Sequence, residues 1–77
     1  MILRDDLQVI AQRIPYQSRV LDLGCGDGSL IKWLELEKKC KCYGVEISAD
    51  KVLECMGKKV NVIQADIEEG LSILDNN

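Results

Sequence analysis

Three glycines within five residues, entered from an apolar run, constrain this chain more than any other feature. The stretch Val20-Leu21-Asp22-Leu23-Gly24-Cys25-Gly26-Asp27-Gly28 starts β-branched and apolar, which reads as a buried strand, and then places glycine at every second position. Glycine accepts positive φ angles and has no Cβ, so such a loop can turn sharply into a helix and let a ligand reach the backbone. Glycines also serve a plain β-to-α turn. The residues beyond the loop decide between the two uses.

Ahead of the loop, Leu3, Leu7, Ile10, Ala11 and Ile14 recur at helical spacing, with Asp5 and Asp6 in the first turn and Pro15 as a stop. Tyr16 to Arg19 form a turn, and Val20 to Leu23 the first strand. Leu30, Ile31, Trp33 and Leu34 stripe a second helix that runs to about Lys39, with Trp33 as a core anchor. Cys42 to Ile47 form a second strand. Ser48 caps a third helix that carries Val52, Leu53, Cys55 and Met56 toward the sheet and ends at Gly57. Val60 to Gln64 form a third strand, followed by Ala65-Asp66-Ile67 and an acidic turn at Glu68-Glu69-Gly70. Helix and strand alternate, so the expected class is α/β, a parallel sheet with right-handed crossovers.

The chain has 77 residues, enough for one small domain, and is 47% hydrophobic and 30% charged, a globular balance rather than a disordered one. No span approaches the roughly 20 apolar residues that cross a bilayer, and no basic segment precedes an apolar one at the N-terminus. The expectation is a soluble, cytoplasmic protein without membrane association. With a net charge of −3 and lysines scattered or paired (Lys38-Lys39, Lys58-Lys59), no basic face invites nucleic acid. Both lysine pairs fall where a helix is expected to end, where cations suit the helix dipole. Cys25, Cys40, Cys42 and Cys55 include no Cys-x-x-Cys pair and have no histidine to join them. Reduced thiols are therefore the plain reading, and a metal site using all four has poor spacing.

Ligands of open parallel sheets bind beyond the carboxyl ends of the strands, and three acids fall there: Asp22, Glu46 and Asp66. Glu46 lies eighteen residues beyond Gly28, near the separation at which an acid receives two ribose hydroxyls. A carboxylate suits a vicinal diol because it offers only acceptors. Asp66 either caps a turn or receives an adenine amine; Ile47 and Ile67 either join the core or sandwich the ring. Asp22 either braces the loop or attracts the cationic end of a ligand. A dinucleotide fingerprint would need glycine at position 29, where this chain has Ser29.

Asp-x-Gly-x-Gly-x-Gly, from Asp22 to Gly28, resembles the first motif of class I S-adenosylmethionine-dependent methyltransferases, and Glu46 and Asp66 extend the likeness to three cofactor motifs. The resemblance implies a Rossmann-like, three-layer αβα fold. It also implies S-adenosylmethionine as cofactor, with Gly24, Gly26 and Gly28 along its methionine portion, Glu46 at the ribose and Asp66 at the adenine. Asp22, Cys25, Ile47 and Ile67 complete the candidate set. A narrower likeness rests on Arg19 to Gly28, Tyr43-Gly44-Val45-Glu46-Ile47, Asn61 to Asp66 and the turn Glu69-Gly70-Leu71, which resemble the MetW family of methionine biosynthesis proteins. That likeness implies a homoserine O-acyltransferase as partner.

The full methyltransferase sheet has seven strands, and only three can be read here. The expectation is that residues 1–77 are the N-terminal, cofactor-binding half of such a domain, a truncated form in which Leu71 to Asn77 lead toward a fourth strand. The first strand lies centrally in the family order, so its open edge could pair with a second copy. No acceptor pocket or general base is assignable, which leaves catalytic turnover open. Two alternatives stand beside the cofactor reading: a non-catalytic module that regulates a homoserine O-acyltransferase, and a fragment of a nicotinamide-dependent oxidoreductase.

Overall fold

A computed structural model describes residues 3–69. Six elements follow the expected alternation: α1 (Asp5–Arg13), β1 (Arg19–Leu23), α2 (Ser29–Glu37), β2 (Lys41–Glu46), α3 (Ala49–Gly57) and β3 (Val62–Gln64). The strands make one parallel sheet in the order β1-β2-β3, with Leu21 beside Tyr43, Asp22 beside Gly44 and Glu46 beside Gln64. A helical turn begins again at residues 67–69. The turn expected through Gly70 and Leu71, and the segment through Asn77, lie outside the described residues.

Each βαβ unit advances the sheet in the same direction, so both connecting helices settle on the same face. Cys42, fully buried, points into that face. Gly44 does too, because a Cβ built there would meet Cys25 and Ile31 of α2. Ala11, Ile31, Leu34, Cys42, Cys55 and Val60 form the centre of the core, with Trp33 packed against its rim. The opposite face carries Leu21, Leu23, Tyr43 and Ile63, each more than half exposed. The described residues thus supply the sheet and one helical layer of the three-layer architecture, with β1 paired on one side only.

The helix ends depart from expectation in instructive ways. Helix α2 stops at Glu37, two residues short of Lys39. Helix α3 does end at Gly57, as expected, but the chain leaves α2 and α3 through Lys39 and Lys59 in the left-handed region, with φ of 53° and 61°. After α3 the stop comes from backbone bonds. Lys58 N donates to the Glu54 and Cys55 carbonyls, and Val60 N donates to that of Cys55 at 3.0 Å, so Val60 turns inward and β3 begins only at Val62. Ser48 caps α3 as expected, its hydroxyl accepting from Lys51 N. Leu53 and Met56 point outward, 63% and 61% exposed, because α3 meets the sheet along the Cys55 side alone.

Candidate functional site

The glycine loop is fixed from both sides of its backbone. Gly24 N and Cys25 N both donate to the Val45 carbonyl, at 2.7 and 3.1 Å, which ties the loop to β2 as it leaves β1. Beyond the loop, Ser29 N donates to Asp27 Oδ1 at 3.0 Å, while the Lys58 ammonium donates to the Asp27 carbonyl at 3.0 Å. The bond from Ser29, with help from Lys58, holds the Asp27 carboxyl below its ordinary range. Gly24, Gly26 and Gly28 all have positive φ, from 59° to 82°. Only at Gly28 does close packing add to that demand, since a Cβ there would sit 2.9 Å from Cys55 Sγ. At Gly24 and Gly26 a Cβ would meet nothing within 4 Å. The space beside those two backbones is open.

That space belongs to a cavity of about 620 Å³, walled on the loop side by Asp22, Gly24, Cys25, Gly26 and Asp27 and on the other by Leu3, Arg4, Leu7 and Ile10. Glu46 governs the loop from beneath. Its carboxylate is buried at the end of β2, with Oε1 accepting from Gly26 N at 2.8 Å and Oε2 from Ser48 N at 2.9 Å. The amides of Ser48 and Gly26 draw its pKa below the ordinary value of 4.5, because each bond favours the ionised form. An ionised carboxylate has about four acceptor positions. The amides of Gly26 and Ser48 occupy two of them, and the Ile47 amide also favours the charge.

Asp22 experiences the opposite environment: burial first, and then the charge of Glu46, raises its carboxyl above the ordinary value. A raised pKa in an acid means that the folded state resists ionisation, so stability is lost as pH rises through the folded-state value. Asp22→Asn is therefore expected to raise the melting temperature of the free chain at pH 7 by roughly a few degrees. That gain should vanish as pH falls and wild-type Asp22 takes up a proton. Thermal melts between pH 4 and 8 check this. A gain independent of pH would mean that charge is not the cause.

The structure brings Asp22, Gly24, Cys25 and Gly26 to one cavity; Glu46 lies outside its lining and is joined to it through the bond from Gly26 N. Cys25 contributes as a neutral thiol, its pKa pushed up to about 12 by burial and then by Cys55, whose sulfur lies 3.9 Å away. Gly28 stands behind the loop, against Cys55. Ile47 is 60% exposed beyond the tip of β2. Ile67 is half-buried at the far end of the sheet, and Asp66 Oδ1 accepts from Glu69 N at 3.2 Å, a capping role that occupies one of its acceptor positions. The cavity wall from α1 and the nearby Lys51 carry no mark in the sequence as site residues. The stripe of Leu3, Leu7 and Ile10 does signal that wall, but it reads equally as core.

Among the described residues no cluster of metal-ligating side chains occurs, and no helix is long and apolar enough to cross a membrane.

Comparison with known proteins bears on this geometry. Residues 4–77 match the family described as methionine biosynthesis protein MetW. The bifunctional methionine biosynthesis protein MetXA/MetW of Rhodopirellula baltica is 31% identical over 74 residues, which cover 86% of this chain and 12% of that protein. Among solved structures, TrmK of M. capricolum in complex with S-adenosyl-homocysteine superposes with a TM-score of 0.76 at 17% identity, covering 86% of this chain and 33% of that one. A SAM-dependent methyltransferase of Archaeoglobus fulgidus superposes with a TM-score of 0.60 at 36% identity, covering 86% and 32%. The fold is thus that of the Rossmann-like methyltransferases, and the chain spans about a third of the length of these solved relatives.

Proposed function

The chain belongs to the MetW family, and from that premise we propose that its glycine loop binds S-adenosylmethionine, residues 1–77 acting as the cofactor-binding half of a methyltransferase-like protein in methionine biosynthesis. The observation that carries this is the pairing of Glu46 with Gly26: a buried carboxylate at the end of β2 fixes the glycine loop, and in this reading its remaining acceptor positions receive a ribose diol. The open space beside Gly24 and Gly26 receives the methionine portion, and Asp22 faces its cationic groups. Ile47, Ile67 and Asp66 line the path of the adenine across the strand tips. The 36% identity to a protein described as SAM-dependent supports the same cofactor. When bound, that cofactor supplies an activated methyl group; the residues named here bind and orient it.

Isotope-labelled chain titrated with S-adenosylhomocysteine tests the placement. Amide shifts are expected to concentrate at Gly24 to Gly28, Glu46 and Asp66. Shifts confined to other regions would refute it.

For the partner, the joining of MetXA and MetW in one polypeptide of Rhodopirellula baltica supports association with a homoserine O-acyltransferase. The same observation favours the second reading, in which the chain regulates that acyltransferase without turnover. Co-purification that survives Gly26→Val would favour that reading over a cofactor-driven one. The edge of β1 that stands unpaired among the described residues further supports pairing with a second copy. Sedimentation is expected to show dimers at high concentration, and a persistent monomer would remove the pairing.

A further inference from the structure

Lys38 follows α2, yet its ammonium serves α1. Nζ donates to the carbonyl oxygens of Ala11 at 2.7 Å, Gln12 at 3.3 Å and Ile14 at 2.7 Å. An ammonium has three protons, and these meet three carbonyls at the end of a helix, where the dipole is negative; that of Ala11 also accepts from Ile14 N at 3.2 Å. The main chain adds a further tie, because the Lys38 carbonyl accepts from Gln17 N at 2.7 Å. One residue thus holds both the end of α1 and the turn that leads into β1. The neighbouring Lys39 ammonium reaches only the Leu36 carbonyl, at 3.3 Å on the surface.

Just ahead of helix α1, Leu3 is buried in the core and its carbonyl accepts from Gln8 Nε2 at 3.0 Å, but within the helix there is little else to fix it. Ala11 is its one buried residue, and Leu7 and Ile14 pack at the rim of the core. Yet Leu7 and Ile10, with Leu3 and Arg4 just ahead of the helix, form the wall of the cavity that faces the glycine loop. The width of the cavity therefore depends on where α1 lies, and α1 is anchored at the end where Lys38 grips it.

We propose that Lys38 is a positioning residue for ligand binding: its ammonium gathers the carbonyls that end α1 and so keeps that helix in place as the wall opposite the glycine loop. The inference rests on the cavity being the cofactor site. Its strength is that the hold on α1 can be measured without any ligand.

The test compares the whole chain with Lys38→Met, Lys38→Arg and Lys39→Met by amide hydrogen exchange and by calorimetric titration with S-adenosylhomocysteine. Lys38→Met is expected to speed exchange at Gln8 to Arg13 while leaving Gly44 and Val45 protected, and to weaken binding roughly three- to tenfold. Lys38→Arg, which keeps charge and donors, should restore both properties, and Lys39→Met should change neither. Unchanged protection of α1 in Lys38→Met overturns the proposal. So does equal loosening of β2, which would mark a general loss of stability, and so does a loosened α1 with affinity intact. Should the wild-type chain take up no S-adenosylhomocysteine, it is the cofactor reading that fails, and the exchange contrast still decides whether Lys38 holds α1.

Discussion

Glu46→Ala is expected to weaken binding of S-adenosylhomocysteine by about tenfold or more, since two charge-assisted hydrogen bonds and the acceptors for the diol disappear together. The substitution leaves Gly26 N and Ser48 N without their acceptors, so the loop loses its brace before any ligand arrives. Glu46→Gln should do little better. An amide turns a donor toward one of the two backbone N–H groups and surrenders an acceptor position to it. The pH dependence follows from the lowered pKa of Glu46. For an acid depressed on folding, the stabilisation is fully present above the unfolded value and is lost as pH falls through the folded one. Binding and loop order should therefore hold at neutral pH and fail together in acid. Calorimetry on the two variants, with wild type across pH, checks all three statements. Equal affinity in Glu46→Ala and wild type would remove Glu46 from the site.

Gly44→Ala is expected to lower the free energy of unfolding by about 1–3 kcal/mol, and Gly44→Val by more. Gly44 lies mid-strand in β2 with no left-handed φ to demand glycine. The demand comes instead from proximity: a Cβ would stand 2.5 Å from Cys25 Sγ and 2.9 Å from Ile31 Cδ1. Glycine there lets Cys25 tuck beneath the loop, and the tuck in turn aims Gly26 N at Glu46. A methyl group must push Cys25 out or part β2 from α2, so affinity should fall along with stability. Cys25→Ala in the Gly44→Ala background removes the nearest sulfur and should recover part of the loss, with the Ile31 contact and the retained Cβ of residue 25, 3.0 Å away, left to account for the remainder. Urea denaturation of the two single variants and the double variant measures the coupling. Strict additivity would show that Cys25 is not what Gly44 makes room for.

The strand and loop from Val20 to Gly28 were legible in the sequence because an apolar run and glycine spacing are local signals, but the run reads as a buried strand, whereas Leu21 and Leu23 stand exposed on the face of the sheet that no described helix covers. The order of elements followed from the same logic, as did the cap at Ser48. Glu46 was legible only in part. Its distance from Gly28 marks it as a strand-end acid, but its bonds run to backbone N–H groups, and any residue has those, so no side-chain pattern announces the brace. Gly57 was legible as the end of α3, because glycine so often ends helices; what the sequence did not show is that the left-handed residue is Lys59, after the bonds from Lys58 N and Val60 N. Leu53 and Met56 fit a helical stripe, yet a nine-residue helix packed through Cys55 has no second surface for them to cover. The α1 stripe served two ends at once: Ala11 enters the core, while Ile10, half exposed, faces the cavity. A period of 3.6 identifies a face, but not what the face covers.

The most direct measurement is a calorimetric titration of the folded chain with S-adenosylhomocysteine and, separately, with NADH. The account predicts saturable binding of S-adenosylhomocysteine that disappears in Glu46→Ala, and none of NADH, since Ser29 stands where a dinucleotide fingerprint needs glycine. Saturable NADH binding without S-adenosylhomocysteine binding would contradict it.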